Sequence, residues 1–177
     1  MKKIYTSLSL LIGTFSVAPF AVGQDKEESK DLKATQSLLE IVQEPKPKLT
    51  TVQQRLKEGA DVNARTAFGT TALMLCVRNA CMHCPESMPV LRFLIDQGAD
   101  INAQNRDNQT ALMLAAEQGQ TEIVRLLLAK KADPTLRNQA QRTALITAQR
   151  SINRHSAEDK KPFVEIVQLL KAAETVK

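Results

Sequence analysis

Aromatic residues are scarce in this chain: Phe, Tyr and Trp make up 3% of it, with no Trp and a single Tyr. A core without aromatics must be built from Leu, Ile, Val, Ala and Met, which favours thin helical layers over a β-sandwich or barrel. Only 6 Gly and 7 Pro are present, which excludes a fibrous protein. Only one apolar stretch approaches spanning length, so a multi-span membrane protein is excluded. A hydrophobic content of 43% over 177 residues then indicates one globular domain.

The N-terminal segment has the three-part layout of a secretory signal peptide. The chain starts with Met-Lys-Lys, residues 4–17 are mostly apolar, and the small residues Ala-Val-Gly follow shortly after. We therefore expect residues 1–23 to be a signal peptide, cleaved after Gly23, and the mature protein to be periplasmic, in an oxidising compartment. An uncleaved anchor is the alternative, which is disfavoured because Gly13 and Pro19 interrupt an already short apolar run.

The segment that follows, residues 24–33, is polar and carries charges of both signs, which is typical of a flexible tether before the first helix. Two lysines and no acid leave with the signal peptide, so the mature net charge is +5 − 2 = +3. This weak charge, together with basic residues that lack aromatic stacking partners, argues against nucleic acid as a partner.

Three short motifs recur along the body of the chain, always in the same order. The Thr-Ala-Leu motifs start at residues 71, 110 and 143, which gives spacings of 39 and 33 residues. The motifs are Thr-Ala-Leu at 71–73, 110–112 and 143–145, Gly-Ala-Asp at 59–61 and 98–100 with Lys-Ala-Asp at 131–133, and an aliphatic segment at 90–95, 123–128 and 166–170.

These motifs resemble the ankyrin repeat, in which Thr-Pro-Leu-His opens a first helix, Ile-Val-x-Leu-Leu-Leu lies in a second, and Gly-Ala-Asp-Val-Asn-Ala leads to a β-turn finger. The resemblance is to exported bacterial members of the family. Ala replaces the Pro in all three openings, and Met74, Met113 and Ile146 replace the His. The resemblance covers residues 34–174 and implies an all-α ankyrin-repeat solenoid of about four helix-turn-helix repeats with β-turn fingers, at about 34–65, 66–104, 105–137 and 138–174.

The helices of such repeats are short and amphipathic, so a repeat cannot bury its apolar face alone and stacked neighbours close a continuous core. In the first repeat we expect helices over 34–43 and 49–58, joined by a Pro-rich loop at 45–48. Two ladders of leucines should stack in the core. They are Leu73, Leu112 and Leu145 in the first helices, and Leu94, Leu127 and Leu170 in the second helices.

The second and fourth repeats carry insertions between their two helices, at 79–87 and 151–159. All three cysteines lie in or beside the first insertion. The simplest interpretation is a structural disulfide, either Cys81–Cys84 or a bridge from Cys76 to one of them, with one thiol left over. A redox-active Cys-x-x-Cys pair and a soft-metal site that includes the neighbouring histidine are the alternatives, and the sequence leaves this choice open.

The resemblance also implies a binding site, because ankyrin repeats bind other proteins through the finger tips and the exposed side of the first helix. Six of the ten arginines fall at these positions, against two acids, and guanidinium groups suit carboxylate partners. We therefore expect an Arg-lined concave face that binds an acidic patch on another exported protein. The candidate residues are Arg65, Phe68, Arg78, Arg106, Asp107, Glu117, Arg137, Arg142 and Arg150, and the uncharged polar residues at these positions include Asn79, Gln104, Gln118, Gln139 and Ser151.

No catalytic set is present. The histidines, His83 and His155, lie in different insertions, and there is no Gly-rich phosphate loop or His-Glu-x-x-His motif. Asp61, Asp100 and Asp133 recur at equivalent turn positions, which indicates a structural role. We expect a non-enzymatic protein-protein interaction module, without cofactor or metal and monomeric on its own, that serves its partner as an immunity or stabilising protein. The alternative is a thiol-redox or soft-metal-handling protein that uses the cysteine-containing loop.

Overall fold

The computed structural model describes residues 24–44, 47–80, 87–155 and 159–175 of the chain. Within these ranges the chain forms eight helices and no β-strand, which confirms the all-α class. None of these helices is both long and apolar enough to cross a membrane. The helices are α1 (Gln24–Ile41), α2 (Leu49–Lys57), α3 (Ala72–Asn79), α4 (Ser87–Asp96), α5 (Ala111–Glu117), α6 (Thr121–Ala129), α7 (Ala144–Ile152) and α8 (Lys161–Thr175).

Each odd-numbered helix packs against the even-numbered helix that follows it, which gives the four helix pairs expected from the sequence. The odd-numbered helices, called inner helices below, also form a continuous stack in which α1 contacts α3, α3 contacts α5, and α5 contacts α7. Among the even-numbered, outer helices, α2 contacts α4 and α6 contacts α8. Because each pair buries its apolar faces against its neighbours, the architecture is a solenoid.

The recurring threonines begin the inner helices. Thr71, Thr110 and Thr143 are N-cap residues with extended backbone, and each hydroxyl oxygen accepts the backbone N–H three residues later. The donor–acceptor distances are 3.4, 3.2 and 3.4 Å. An N-cap of this kind satisfies an N–H group that the first helical turn leaves unpaired, which explains why the residue recurs.

The two predicted leucine ladders lie in the core, with one difference at its end. Leu73 and Leu112 are buried at 0% and 1% exposure, and the second ladder is buried throughout. Leu145, which occupies the same position in the last inner helix, is only partly buried. The difference follows from position, since no described repeat stacks on the far side of α7.

Helix α1 corrects one sequence-based prediction. It begins at Gln24, so residues 24–33 are helical and not a flexible tether, and the first helix starts well before the expected residue 34. The prediction was wrong because mixed charges were taken as typical of a flexible segment, whereas Glu, Lys and Gln are also good helix formers. No Gly or Pro interrupts the chain between Gln24 and Pro45.

Several predicted features lie outside the described residues. They are the signal peptide at 1–23, residues 45–46 of the loop in the first repeat, and residues 81–86 of the first insertion, which include Cys81 and Cys84. Residues 156–158 of the second insertion also lie outside. The disulfide between Cys81 and Cys84, and its redox and metal alternatives, therefore stay predictions.

Candidate partner-binding surface

Each finger is a tight turn that its own first residue stabilises. In the middle finger, the Oδ1 atom of Asn105 accepts hydrogen bonds from the backbone N–H of Asp107 at 2.9 Å and of Gln109 at 2.8 Å. The turn also needs a residue with positive φ, which is Asn108 at 57°. The other two fingers use the same design, with Thr66 and Gly69 in the first and Asn138 and Gln141 in the last.

Backbone hydrogen bonds join each finger to the next. The N–H of Arg106 donates to the carbonyl oxygen of Phe68 at 3.0 Å, and the N–H of Gln139 donates to that of Asp107 at 3.0 Å. Gly69 suits the first of these contacts, because a Cβ atom there would lie 3.2 Å from the backbone nitrogen of Arg106, closer than an ordinary van der Waals contact. The three fingers are therefore a fixed array, and side chains on them are held at defined positions.

The recurring aspartates hold the turns between repeats, as the sequence predicted. The carboxylate of Asp100 accepts the N–H of Asn102 at 2.9 Å, and Asp61 and Asp133 make the same contact in their own turns. The asparagines then bridge neighbours, since Asn63 Oδ1 accepts the N–H of Asp100 and Asn102 Oδ1 accepts that of Asp133, both at 2.8 Å. These contacts join neighbouring repeats at the turns that lead into the fingers.

A third set of hydrogen bonds joins the C-terminal ends of the inner helices, and it corrects part of the predicted surface. Asn79 Nδ2 donates to the carbonyl of Gln43, Gln118 Nε2 to that of Arg78, and Ser151 Oγ to that of Glu117, at 3.0, 3.1 and 3.3 Å. Near the fingers, Gln104 Nε2 donates to Arg137 O and Gln139 Nε2 donates to Arg106 O. These five polar side chains were expected to face a partner, but they bond to the adjacent repeat.

Gln120 is a further bridging residue that the sequence analysis missed. It is 6% exposed, and its Nε2 atom donates to the carbonyl oxygens of Val77 and Ala80 at the C-terminal end of α3. The repeat pattern could not indicate this role of Gln120, because the equivalent positions in the second and fourth repeats fall in the two insertions. Together with Gln118, it caps the end of α3 where the first insertion begins.

The charged side chains left at the surface fall into two rows. Residues 72–77 and 111–116 are all buried, so these inner helices contribute charged side chains only at their C-terminal ends. The side chains of both rows are exposed, except for Arg142, which is half-buried. We define the finger row as Arg65, Phe68, Arg106, Asp107, Arg137 and Arg142, and the helix-end row as Arg78, Glu117 and Arg150.

Two arginines of the finger row are oriented by the fingers themselves. Arg65 Nη1 donates to the carbonyl oxygen of Gln104 at 2.8 Å, and Arg137 Nη1 donates to that of Gln141 at 2.9 Å. A guanidinium group has five N–H donors, so one such bond fixes its position and leaves donors for a partner. The structure therefore holds the guanidinium groups of Arg65 and Arg137 against the fingers. Their positions are defined before a partner binds.

Four other candidates, Arg78, Arg106, Arg142 and Arg150, have no hydrogen-bond acceptor or carboxylate for their side chains in the described part of the chain. By contrast, some cations on or next to the outer helices are paired with carboxylates. Their ion pairs are Arg55–Glu58 at 2.6 Å, Lys130–Asp96 at 2.7 Å, and Arg125 with Glu122 and Glu165.

Charge and an exposed aromatic ring set the finger row apart. Its four arginines and one aspartate give a net charge of 4 − 1 = +3, against 2 − 1 = +1 for the helix-end row. Phe68 is 72% exposed, which confirms the expected aromatic side chain at a finger tip. Arg and aromatic side chains are the types that most often anchor protein interfaces.

Cys76 is a free thiol in the described structure, but the two cysteines predicted as its partners lie outside the described residues, so a disulfide at Cys76 stays a prediction. Its side chain lies in the core of α3 with 1% exposure, and this burial raises the pKa of the Cys76 thiol to about 12. No three His, Cys, Asp or Glu side chains come together as a metal site anywhere in the described ranges.

This burial predicts how Cys76 reacts. In a Cys81→Ser/Cys84→Ser variant, the remaining thiol should resist a thiol-specific reagent in the native state at about pH 8, where roughly one molecule in ten thousand carries the thiolate. Full modification should follow as soon as urea unfolds the protein. The measurement is the rate of modification, followed by absorbance or mass. Fast modification of the native variant would contradict the burial of this thiol.

A comparison with protein families identifies the architecture. A family model described as ankyrin repeats (3 copies) matches residues 38–138 and 79–175. A comparison with curated proteins finds no match. The matches span most of the chain, and they cover the helix pairs, the fingers and both rows of charged residues. The chain therefore belongs to the ankyrin-repeat family, whose repeats are non-enzymatic modules for protein–protein interaction.

Proposed function

We propose that this protein is an exported binding protein that holds another exported protein, as an immunity or stabilising protein does, through the finger row and the helix-end row. The partner presents an acidic patch. The observation that carries this proposal is the set of four exposed or half-buried arginines, Arg78, Arg106, Arg142 and Arg150, whose side chains have no carboxylate partner in the described part of the chain.

Electrostatics supports an acidic partner. An arginine fork forms two parallel hydrogen bonds with a carboxylate, and these bonds strengthen when an interface excludes water. Four arginines without an internal acceptor lose no internal contact when they bind such a group. The fixed fingers add to affinity because little side-chain and backbone freedom remains to be lost on binding.

Export is the second part of the proposal and rests on residues 1–23. Their basic start, apolar run and small residues before Gln24 are the pattern that signal peptidase recognises. Helix α1 begins at Gln24, so the mature chain would start directly with the first helix. The N-terminal sequence of the protein isolated from cells tests this part, and a chain that retains Met1 would contradict it.

The binding proposal predicts a loss of partner capture on charge reversal. Residues 24–177 serve as bait for a periplasmic extract of the source organism, beside an Arg106→Glu/Arg137→Glu variant. We expect one retained protein with the parent bait and an affinity at least about a hundredfold lower with the variant, because like charges across an interface repel. Mass spectrometry identifies the protein, and titration with it gives the two affinities.

A matched control separates this surface from net charge. Arg92 and Lys171 are exposed on the outer helices α4 and α8, and reversing both changes the net charge by the same amount. The Arg92→Glu/Lys171→Glu variant should retain the partner as the parent does. Equal loss in both variants would show that overall charge matters and would overturn the proposed surface. Equal retention in both would move the binding site to the inserted loops.

A further inference from the structure

Phe68 differs from its counterparts in the other fingers. The equivalent tip positions hold Asp107 and Ala140, as the backbone hydrogen bonds between fingers show. The described chain buries its other two phenylalanines wholly or partly, since Phe163 is 2% exposed and Phe93 packs against the core. With 72% exposure, Phe68 is the most exposed large hydrophobic side chain in the described ranges.

The backbone of Phe68 is fixed on both sides. Its N–H donates to Thr66 Oγ1 at 3.3 Å, and its carbonyl oxygen accepts the N–H of Arg106 at 3.0 Å. Gly69 follows with a φ of +73°, which residues with a side chain rarely adopt, and a Cβ atom there would lie tightly against the next finger. An aromatic side chain on such a turn has only two rotatable bonds to order on binding, so it is an efficient anchor.

Two arginines accompany Phe68 on the first two fingers. Arg106 lies on the next finger, in backbone contact with Phe68, and its side chain has no acceptor in the described part of the chain. Arg65 lies three residues before Phe68 and is directed towards that same finger by its bond to the carbonyl of Gln104. The first two fingers therefore carry an exposed apolar ring together with two cations.

We propose that this tip recognises an acidic peptide segment that carries an apolar side chain among its carboxylates. This inference rests on the proposed function and specifies the chemistry of its partner. The apolar side chain packs on the Phe68 ring, and neighbouring carboxylates pair with Arg65 and Arg106. A purely acidic segment would leave the Phe68 ring exposed to water. The apolar side chain therefore decides which acidic segments bind more tightly.

Short synthetic peptides test this chemistry without a known partner. The probe is a fluorescein-labelled peptide in which Glu alternates with Ser around one central Leu. Its controls replace the Leu by Ser, or every Glu by Lys. Fluorescence anisotropy at low ionic strength should give the Leu peptide about tenfold higher affinity than its Ser control, from the apolar surface that the ring buries. The Lys peptide should not bind.

Two variants at Phe68 complete the test. Phe68→Ser should remove the tenfold preference and leave the weaker binding of the Ser control unchanged, whereas Phe68→Leu should retain most of the preference. Because the side chain is exposed, both variants should keep the parent's thermal unfolding midpoint, which circular dichroism checks. The Arg106→Glu/Arg137→Glu variant should weaken both acidic peptides.

The outcomes separate this inference from the proposed function. Equal affinity for the two acidic peptides, lost in the arginine variant, would overturn the aromatic anchor and leave the acidic partner standing. A preference for Leu that survives Phe68→Ser would place the apolar contact elsewhere and would also overturn the inference. If neither acidic peptide bound better than the Lys peptide, the acidic partner itself would be refuted.

Discussion

Replacing Leu112 by alanine should lower the free energy of unfolding by about 3 kcal/mol, because the substitution leaves a cavity in a core that cannot fully collapse. Leu112 is 1% exposed on α5, the helix that packs against both α3 and α7. Its side chain is thus enclosed by repeats on both sides. Urea unfolding followed by far-UV circular dichroism gives the change directly.

The same substitution at Leu145 is the matched control. Leu145 occupies the equivalent position on α7, with identical neighbours in the Thr-Ala-Leu motif, but it is only partly buried. Because this side chain is only partly buried, the loss of its methyl groups should cost about half as much, roughly 1–1.5 kcal/mol. Equal losses for Leu112→Ala and Leu145→Ala would show that the stacking of repeats does not decide how much each leucine stabilises the fold.

Gly119→Ala should destabilise the protein by about 3 kcal/mol, for two additive reasons. The residue has a φ of +72°, which costs an alanine about 1 kcal/mol. A Cβ atom at Gly119 would also lie 2.9 Å from the Cζ atom of Phe163. The Phe163 ring is buried and has His155 against it, with 4.5 Å between the ring centroids. It cannot move aside freely, and overpacking of this kind costs about 1–3 kcal/mol.

Gly98→Ala isolates the backbone contribution. Gly98 has a φ of +88°, but no atom lies within 4 Å of a Cβ atom built there. Its substitution should therefore cost only about 1 kcal/mol.

Adding Phe163→Leu to Gly119→Ala should recover part of the loss of stability if the Phe163 ring is the obstacle, although Phe163→Leu destabilises the protein on its own. Urea unfolding of the four variants measures both effects, and a Gly119→Ala cost no larger than that of Gly98→Ala would disprove the clash.

Much of the fold could be predicted because the same short motifs recur along the sequence. Thr71, Thr110 and Thr143 each begin an inner helix, and the leucine that follows two residues later is buried or partly buried in every case. Both signals are local: a cap needs a hydroxyl at the helix start, and an amphipathic helix needs apolar residues at helical spacing. The start of helix α1 was predicted wrongly, because a segment with charges of both signs is compatible with a flexible tether and also with an exposed helix.

The candidate surface could be predicted only in part. Phe68 and the candidate arginines except the half-buried Arg142 are exposed as expected, because long cations and finger-tip residues are rarely buried. Asn79, Gln118 and Gln139 also stood at surface positions, yet their amides bond to carbonyl groups of the neighbouring repeat. A sequence shows which residues have donors, but it does not show which acceptors lie opposite them.

The sequence by itself therefore determined the repeat architecture and the starts of the three inner helices that Thr71, Thr110 and Thr143 cap, because both depend on residue type at short, recurring spacing. The tertiary structure decided which of the predicted surface side chains remain available for a partner. Gln104, for example, bonds to the carbonyl of Arg137 in the next repeat, and Cys76 is enclosed in the core. The physical reason is distance along the chain, since such contacts join residues more than thirty positions apart and exist only once the repeats have stacked.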